Sequence, residues 1–366
     1  MNDITKLYFG WGVYDLLCLI SFISIGFHLK YRKNQIITLF LLGALFIAIF
    51  GNAITMDYRS YWKIIQQVIY GSHKFIHLEA VYIEIINRIG LNYALWQAII
   101  YIPSYIILFF IIKKLKIERI ELFFFMFVVL IMYYDCIGSR QFLFVSIYYL
   151  GIIYLAEKKW LIGIAILCIS VFFHKMAYMA IPLIPLFFIP LKNKFGKIVI
   201  LTIVATIIAR IMLAPFIDML SLLMGNNGNE YLNESAGNSG SIWWTIIGKY
   251  THFVRFILLW YCLYITKKSA ISPNNIQRTI YSLVFFTSCG SLFFEYLGID
   301  GTISYRLMSL GAIGFCYLFT LIPQYRHITK FQQVLFGLSM VGYWILTNAY
   351  IKGVSNSIML GELQLE

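Results

Sequence analysis

Charge is scarce in this chain: only 12% of its 366 residues are Asp, Glu, Lys or Arg. Soluble domains of this size carry about 25%, so a water-exposed globular enzyme is excluded. No CxxC pair occurs among the six cysteines, so neither a metal cluster nor a disulfide framework is indicated. Cys18, Cys168, Cys262, Cys289 and Cys316 fall within apolar segments and Cys136 beside a turn, where cysteine serves as a small packing residue. There is no glycine-rich phosphate loop, no Walker sequence and no DxD motif, which leaves nucleotides and metal–sugar-nucleotides without a recognisable site. A basic leader before the first apolar segment is missing too, so no cleavable signal peptide is expected. No internal repeat is evident, which weakens an inverted-repeat transporter.

What the chain does have is apolar length. Hydrophobic residues make up 61% and aromatics 18%, in long continuous runs rather than the alternation of a β-barrel. The expected fold is all-α, a polytopic integral membrane protein with about twelve transmembrane helices in one domain, 1–366. The apolar windows are 11–29, 35–54, 92–112, 121–137, 140–156, 160–174, 177–191, 197–216, 250–266, 279–297, 305–322 and 333–351. Windows 160–174 and 177–191 are short and closely joined, as tilted or partly re-entrant segments would be. Alternate connections are basic, for example Lys113, Lys114, Lys116 and Arg119, then Lys158 and Lys159. The positive-inside rule places these in the cytoplasm and both termini outside. The formal net charge of +13 is therefore topological and calls for no nucleic-acid partner.

Most acids fall on the opposite face, together with the two long connections: an amphipathic segment at 55–91 and a loop at 217–249. Chemistry is expected there, away from cytoplasmic nucleotides, with a substrate that brings its own energy, such as a lipid diphosphate. Arg140 sits in a polar turn at 135–141 between two apolar windows. An arginine near the bilayer centre costs about 2.5–3.5 kcal/mol, and such charges face a cavity or a pathway. Arg210, Arg255 and Arg306 join it in the same outer half, with Arg306 following a loop at 301–305. Lys249, His252 and Arg255 recur every three residues as a basic strip. Guanidinium groups grip phosphate oxygens in pairs and stay charged when partly desolvated. They can equally snorkel to the interface. His174 and Lys175 occupy a hairpin tip on that face, where the imidazole is either a base or a structural residue. Trp243 and Trp244 suit stacking on sugar rings or anchoring at the interface. Asp57 suits a general base or a clamp on Arg59 or Arg140.

Four pieces in this order resemble the EpsG family of Wzy-type polysaccharide polymerases. They are Asp57, Tyr58 and Tyr61 after an early span, then Glu79 and Tyr82 in the amphipathic segment. Arg140 and Gln141 follow at a hairpin turn, and Phe173, His174, Lys175 and Ala177 at the next. The likeness is strongest over 45–185. Phe142 and Leu143 depart from the small residue that usually follows the family's Arg-Gln. The resemblance implies a Wzy- or O-antigen-ligase-like membrane glycosyltransferase of the GT-C type, in the bacterial inner membrane with its site facing the periplasm. It would join oligosaccharide units carried on undecaprenyl diphosphate, donor and acceptor alike, to extend an O-antigen, capsule or exopolysaccharide without metal or cofactor. A chain-length regulator protein is a further partner of such enzymes. On this view Arg140, Arg210, Arg255, Arg306 and Lys175 bind diphosphate. His174, Asp57 and Glu79, in that order, are the candidate bases, since the unperturbed histidine pKa lies nearest working pH. Gln141, Tyr58, Tyr61, Tyr82, His252, Trp243 and Trp244 would line the substrate. A flippase for the same lipid or an O-antigen-ligase-like transferase are the alternatives. Deletion phenotypes separate them: single repeat units on the finished lipid for a polymerase, no surface product for a flippase, polymer left on the carrier for a ligase.

Overall fold

The computed structural model describes residues 3–24, 33–50, 93–136, 141–174, 176–189, 191, 195–211, 274–297 and 301–321, with residues 260, 264, 329 and isolated positions between 331 and 345. All regular structure among the described residues is helical. In chain order the helices are α1 (Asp3–Ser24), α2 (Lys33–Phe50), α3 (Tyr93–Lys114), α4 (Ile120–Phe127), α5 (Gln141–Ala156) and α6 (Trp160–Ser170). They continue with α7 (Ala177–Ala180), α8 (Ile184–Phe187), α9 (Phe195–Ile211), α10 (Asn275–Leu297) and α11 (Gly301–Leu321). The amphipathic segment 55–91, the loop 217–249 and most of window 250–266 lie outside the described residues.

One described helix, over Gln97–Lys114, is long and apolar enough to cross a membrane alone. Eight other apolar helices among the described residues are 10–17 residues long, so the expected twelve full-length spans are not reached within them. The surfaces of these helices are nevertheless oily. Leu161 is 86% exposed, Ile211 80% and Leu201 66%, and Leu16, Phe46, Ile106 and Phe110 are exposed as well. Exposed apolar side chains repeated along the helices of each unit suit faces turned to lipid.

The first compact unit comprises 1–182, 316–324 and 340–366. Its centre is α5, where 14 of 16 residues are buried. A helix apolar on every side belongs inside a core, and α5 is wrapped by α3, α6 and the π-helical extension of α4. Gly151 of α5 and Gly163 of α6 meet backbone to backbone. A Cβ added at Gly163 would lie 3.0 Å from the Gly151 carbonyl oxygen and 2.6 Å from Leu155 Cδ2. Only glycine at both positions permits that crossing, the close approach that small residues provide between membrane helices. On the far side of α5, Phe142 packs against Tyr105 at 5.3 Å and Phe127 at 6.4 Å between ring centroids.

Three expectations change shape here. The polar turn expected at 135–141 is shorter. Asp135 and Cys136 still belong to a π-helical stretch, Val128–Cys136, and Gln141 already opens α5. A switch from α to π spacing disturbs the backbone pairing, and the Tyr14 hydroxyl donates to the Val128 carbonyl at 3.4 Å. Window 160–174 is an 11-residue helix, about 16 Å long against a hydrocarbon core of about 30 Å. Window 177–191 is not one helix but α7, a 3₁₀ turn (Ile181–Leu183) and α8. Pro182 and Pro185 explain the breaks, because each lacks the amide that would continue the ladder.

The two basic connections of this unit that fall among the described residues, after α3 and after α5, lie at one end. Lys114, the last residue of α3, reaches Glu157 just beyond α5 at 2.8 Å, and Lys159 reaches the other Glu157 oxygen at 3.1 Å. Both ammonium groups also sit over the Tyr154 ring, at 4.3 and 5.6 Å. Arg119 pairs with Glu121 in the first turn of α4, where the helix dipole favours an acid. Lys116 and Lys158, following α3 and α5, have φ of 51° and 63°. After α5 the Lys158 amide bonds the Leu155 carbonyl and the Lys159 amide the Tyr154 carbonyl, both at 2.9 Å. This is a Schellman closure with lysine in the place glycine usually takes.

The second unit comprises 183–315 and 325–339. Its hairpin of α10 and α11 is closed by hydroxyls. Ser291 Oγ donates to the Ser304 carbonyl at 2.7 Å, and Ser304 Oγ donates to the Ser291 carbonyl at 2.9 Å. The expected loop at 301–305 is therefore helical, the first turn of α11, because this clasp holds it against α10. Helix α9 runs parallel to α10: Ser282 contacts the Ile189 carbonyl before α9 begins, and Thr202 meets Cys289 one helical stretch further on.

Two outcomes follow. Gly163→Leu should lower the thermal midpoint in detergent, costing about 1–3 kcal/mol for overpacking; unchanged melting would show that the crossing tolerates a side chain. For Glu157, burial pushes the carboxyl up, but its hydrogen bonds and attraction to Lys114 and Lys159 outweigh that and hold it below the ordinary range. A lowered carboxyl stabilises the fold above its unfolded pKa of about 4.3 and loses that contribution as pH falls through the folded value. Glu157→Gln should thus cost up to about 1 kcal/mol at neutral pH, and the difference from the parent should close below about pH 4.3. A gap that persists in acid would contradict the ion-pair origin.

Candidate functional site

The best-defined candidate site is the N-terminal end of α5 with the turn that follows α6. Gln141, Phe144, Tyr148, Gly151 and Leu155 fall within an arc of about 80° on α5. That whole face looks toward α6 and its turn: Gly151 and Leu155 meet Gly163 and Leu167. Higher up, the Phe144 ring lies 6.1 Å from the His174 ring, tilted by 30°, and the Tyr148 hydroxyl donates to the Ala180 carbonyl at 2.8 Å. Gln141, 4% exposed, is one turn beyond Phe144 on the same face. The Arg-Gln and Phe-His-Lys pieces, separated by some thirty positions, are therefore carried to one end of the first unit. The Lys114–Glu157 pair occupies the other end of α5, about 20 Å from Phe144 at 1.5 Å per residue.

The His174 turn is tightly specified. The His174 carbonyl accepts the Ala177 amide at 3.0 Å, and its Nδ1 accepts the Met176 amide at 3.1 Å. Met176, Ala177 and Ala180 are buried. Ala177 and Ala180 are fully covered, so a larger side chain has no room, which explains the small residue at the end of the Phe-His-Lys-x-Ala motif. His174 itself is 8% exposed. Phe144 and Tyr148 are the residues that a motif search passes over; their spacing from Gln141, three and seven positions on, is the signal that could have found them.

In the second unit, Arg306 is half-buried, in the second turn of α11. Arg210 is the next-to-last residue of α9. Because α9 and α10 run parallel and α11 returns beside α10, both arginines belong to the same end of that unit. Arg140, Lys175, Arg255, Asp57, Glu79, Tyr58, Tyr61, Tyr82, His252, Trp243 and Trp244 lie outside the described residues. Among the described residues, no group of three His, Cys, Asp or Glu side chains is placed to hold a metal ion. Phe142, where the chain departs from the resembled pattern, faces Tyr105 and Phe127 and is not on the His174 side of α5.

Comparison with curated proteins and with solved structures gives no match. The family model for the EpsG family matches residues 16–359. That match runs through both units, from α1 past α11, and includes every motif position named above. With the match covering nearly its whole length, the chain belongs to the EpsG family, a family of membrane proteins with a polysaccharide-polymerase type of function.

Proposed function

We propose that this protein is a glycosyltransferase that extends a polysaccharide from repeat units carried on undecaprenyl diphosphate, working on the periplasmic side of the bacterial inner membrane. The observation that supports this reading most is the convergence of Gln141, next to Arg140, and His174, next to Lys175, on one end of α5. The described basic connections of that unit, after α3 and after α5, lie at the opposite end, as expected if that end faces the cytoplasm. Arg140 directly precedes Gln141 in sequence and Lys175 directly follows His174, and the dipole at a helix N-terminus also favours an anion.

The reaction follows from that electrostatic arrangement. A hydroxyl of the acceptor unit attacks the anomeric carbon of the donor chain. The bond from that carbon to the diphosphate oxygen breaks, and undecaprenyl diphosphate departs with the bonding electrons. The attacking hydroxyl surrenders its proton to a base; Asp57, Glu79 and His174 are the groups of suitable type on this side. Negative charge grows on the bridging oxygen, and a guanidinium held in place beforehand stabilises it without reorganisation. Arg140 takes this role, with Arg210, Arg255 and Arg306 as further phosphate ligands. Tyr58, Tyr61, Tyr82, Trp243 and Trp244 offer flat apolar faces to sugar rings. With cations supplied by side chains, no metal is required.

The purified protein, given defined lipid-linked repeat units and a chelator, should produce a ladder of extended products. Arg140→Ala and Arg140→Lys should insert at parental levels yet lose about 10²–10³ in rate, equivalent to about 3–4 kcal/mol of transition-state stabilisation. A full-length ladder from either variant at equal protein level would remove Arg140 from the mechanism. A ladder abolished by the chelator would refute metal independence.

A further inference from the structure

The left-handed backbone at Lys116 and Lys158 is a feature of the basic end that packing does not explain. After α3 the Lys116 amide bonds the Lys113 carbonyl at 3.2 Å, and after α5 the Lys158 amide bonds the Leu155 carbonyl at 2.9 Å. The two residues have φ of 51° and 63°, a conformation that glycine adopts freely and a side chain resists. Both side chains are exposed, and among the described residues neither ammonium pairs with an acid. Three acids, Glu118, Glu121 and Glu157, stand against six basic residues across 113–121 and 157–159. Of these, Glu157 holds Lys114 and Lys159, and Glu121 holds Arg119. The dipole of α3 does not require the strained position, because Lys113 and Lys114 already occupy its last turn. Two surplus cations are thus kept at a cost to the backbone, and strain of this kind points to use.

We propose that the paired turns after α3 and α5 bind the headgroup of an anionic phospholipid, with Lys116 and Lys158 as the phosphate contacts. The 2.8 Å bond from Lys114 to Glu157 ties the two turns together, so the two lysines flank a single ion pair. A lipid, rather than a dissolved anion, follows from the surfaces beside them. Ile102, Ile106 and Phe110 form an exposed apolar stripe on α3 that ends at the exposed Lys113. On the other turn, Lys158 and Lys159 lead directly into α6, where Trp160 is 53% and Leu161 86% exposed. Cations on the rim of an apolar surface complement a molecule that carries a phosphate above hydrocarbon chains. Tryptophan at that level suits headgroup depth. A lysine ammonium is a compact point charge, so it needs no fixed fork to hold a phosphodiester. The inference requires a membrane protein and is independent of the polymerase reading.

Replacing both lysines with glycine separates binding from folding. The strain relieved offsets the chain entropy that glycine adds. The full-length double variant Lys116→Gly/Lys158→Gly, in neutral detergent without added lipid, should therefore melt at or above the parent's midpoint. In the parent, phosphatidylglycerol should raise the midpoint at lower concentration than phosphatidylcholine does, and native mass spectrometry should show it retained. The double variant should bind phosphatidylglycerol about 30-fold more weakly, two lysines at about 1 kcal/mol each, with phosphatidylcholine unchanged. Added salt should narrow that difference, because exposed charges are screened. Equal affinity of parent and variant, or a parent that does not distinguish the two lipids, would overturn the proposal. A midpoint that falls in the variant without lipid would show that the lysines serve the fold instead. Inorganic phosphate that stabilises the parent as well as phosphatidylglycerol does would assign them to a dissolved anion and reject the lipid. If the glycine variant does not accumulate, Lys116→Asn/Lys158→Asn, which tolerates the same backbone, carries the same binding expectations.

Discussion

The crossing of α5 and α6 at Gly151 and Gly163 is the contact on which the candidate site depends. Two backbones meet there with no side chain between them, so the separation of the helices is set by carbonyl and Cα surfaces rather than by flexible groups. From that crossing outward, each residue on the same face of α5 finds its partner at a determined height. Leu155 lies against Gly163, Tyr148 reaches the Ala180 carbonyl and Phe144 faces the His174 ring. A change at the crossing would therefore be transmitted to the imidazole two to three turns away. The path is rigid because protein interiors are close-packed.

Charge is arranged to suit that scaffold. At the basic end of the first unit, two lysines accept left-handed backbone positions where glycine is usual. They also place positive charge beside helix C-termini, where the dipole favours it. Glu157 gathers Lys114 and Lys159 into a small network over Tyr154, tying the connection after α3 to the one after α5. At the other end the described groups are hydrogen-bonding rather than charged, and the charged ones stand next to them in sequence. A helix apolar around its whole circumference separates the two ends. Burial of that helix keeps them a fixed distance apart.

The second unit uses hydroxyls where the first uses glycines. Ser291 and Ser304 exchange bonds with each other's carbonyls, while Thr287 and Ser288 turn back onto carbonyls of their own helix. In an apolar surrounding such groups must find partners, and satisfying them across a hairpin brings α11 close to α10. Arg306 is carried into a half-buried position by this clasp rather than left on a loop. Its placement is a consequence of packing between helices.

The sequence alone determined class and family: the scarcity of charge and the length of the apolar runs leave room only for a helical membrane protein. The ordered motifs around Arg140 and His174 were legible because their chemistry is rare in such a setting. The shortness and close joining of windows 160–174 and 177–191 marked them as atypical spans, but the break of the second at Pro182 and Pro185 showed only in the structure. Other features were decided only in three dimensions. Nothing in the residue order shows that Val128–Cys136 adopts π spacing, since its composition suits an α-helix equally well. The helical state of 301–305 came from a hydroxyl clasp formed thirteen residues apart. The bond that His174 Nδ1 accepts was likewise hidden, because the Met176 amide that donates it is brought round only by the turn after α6.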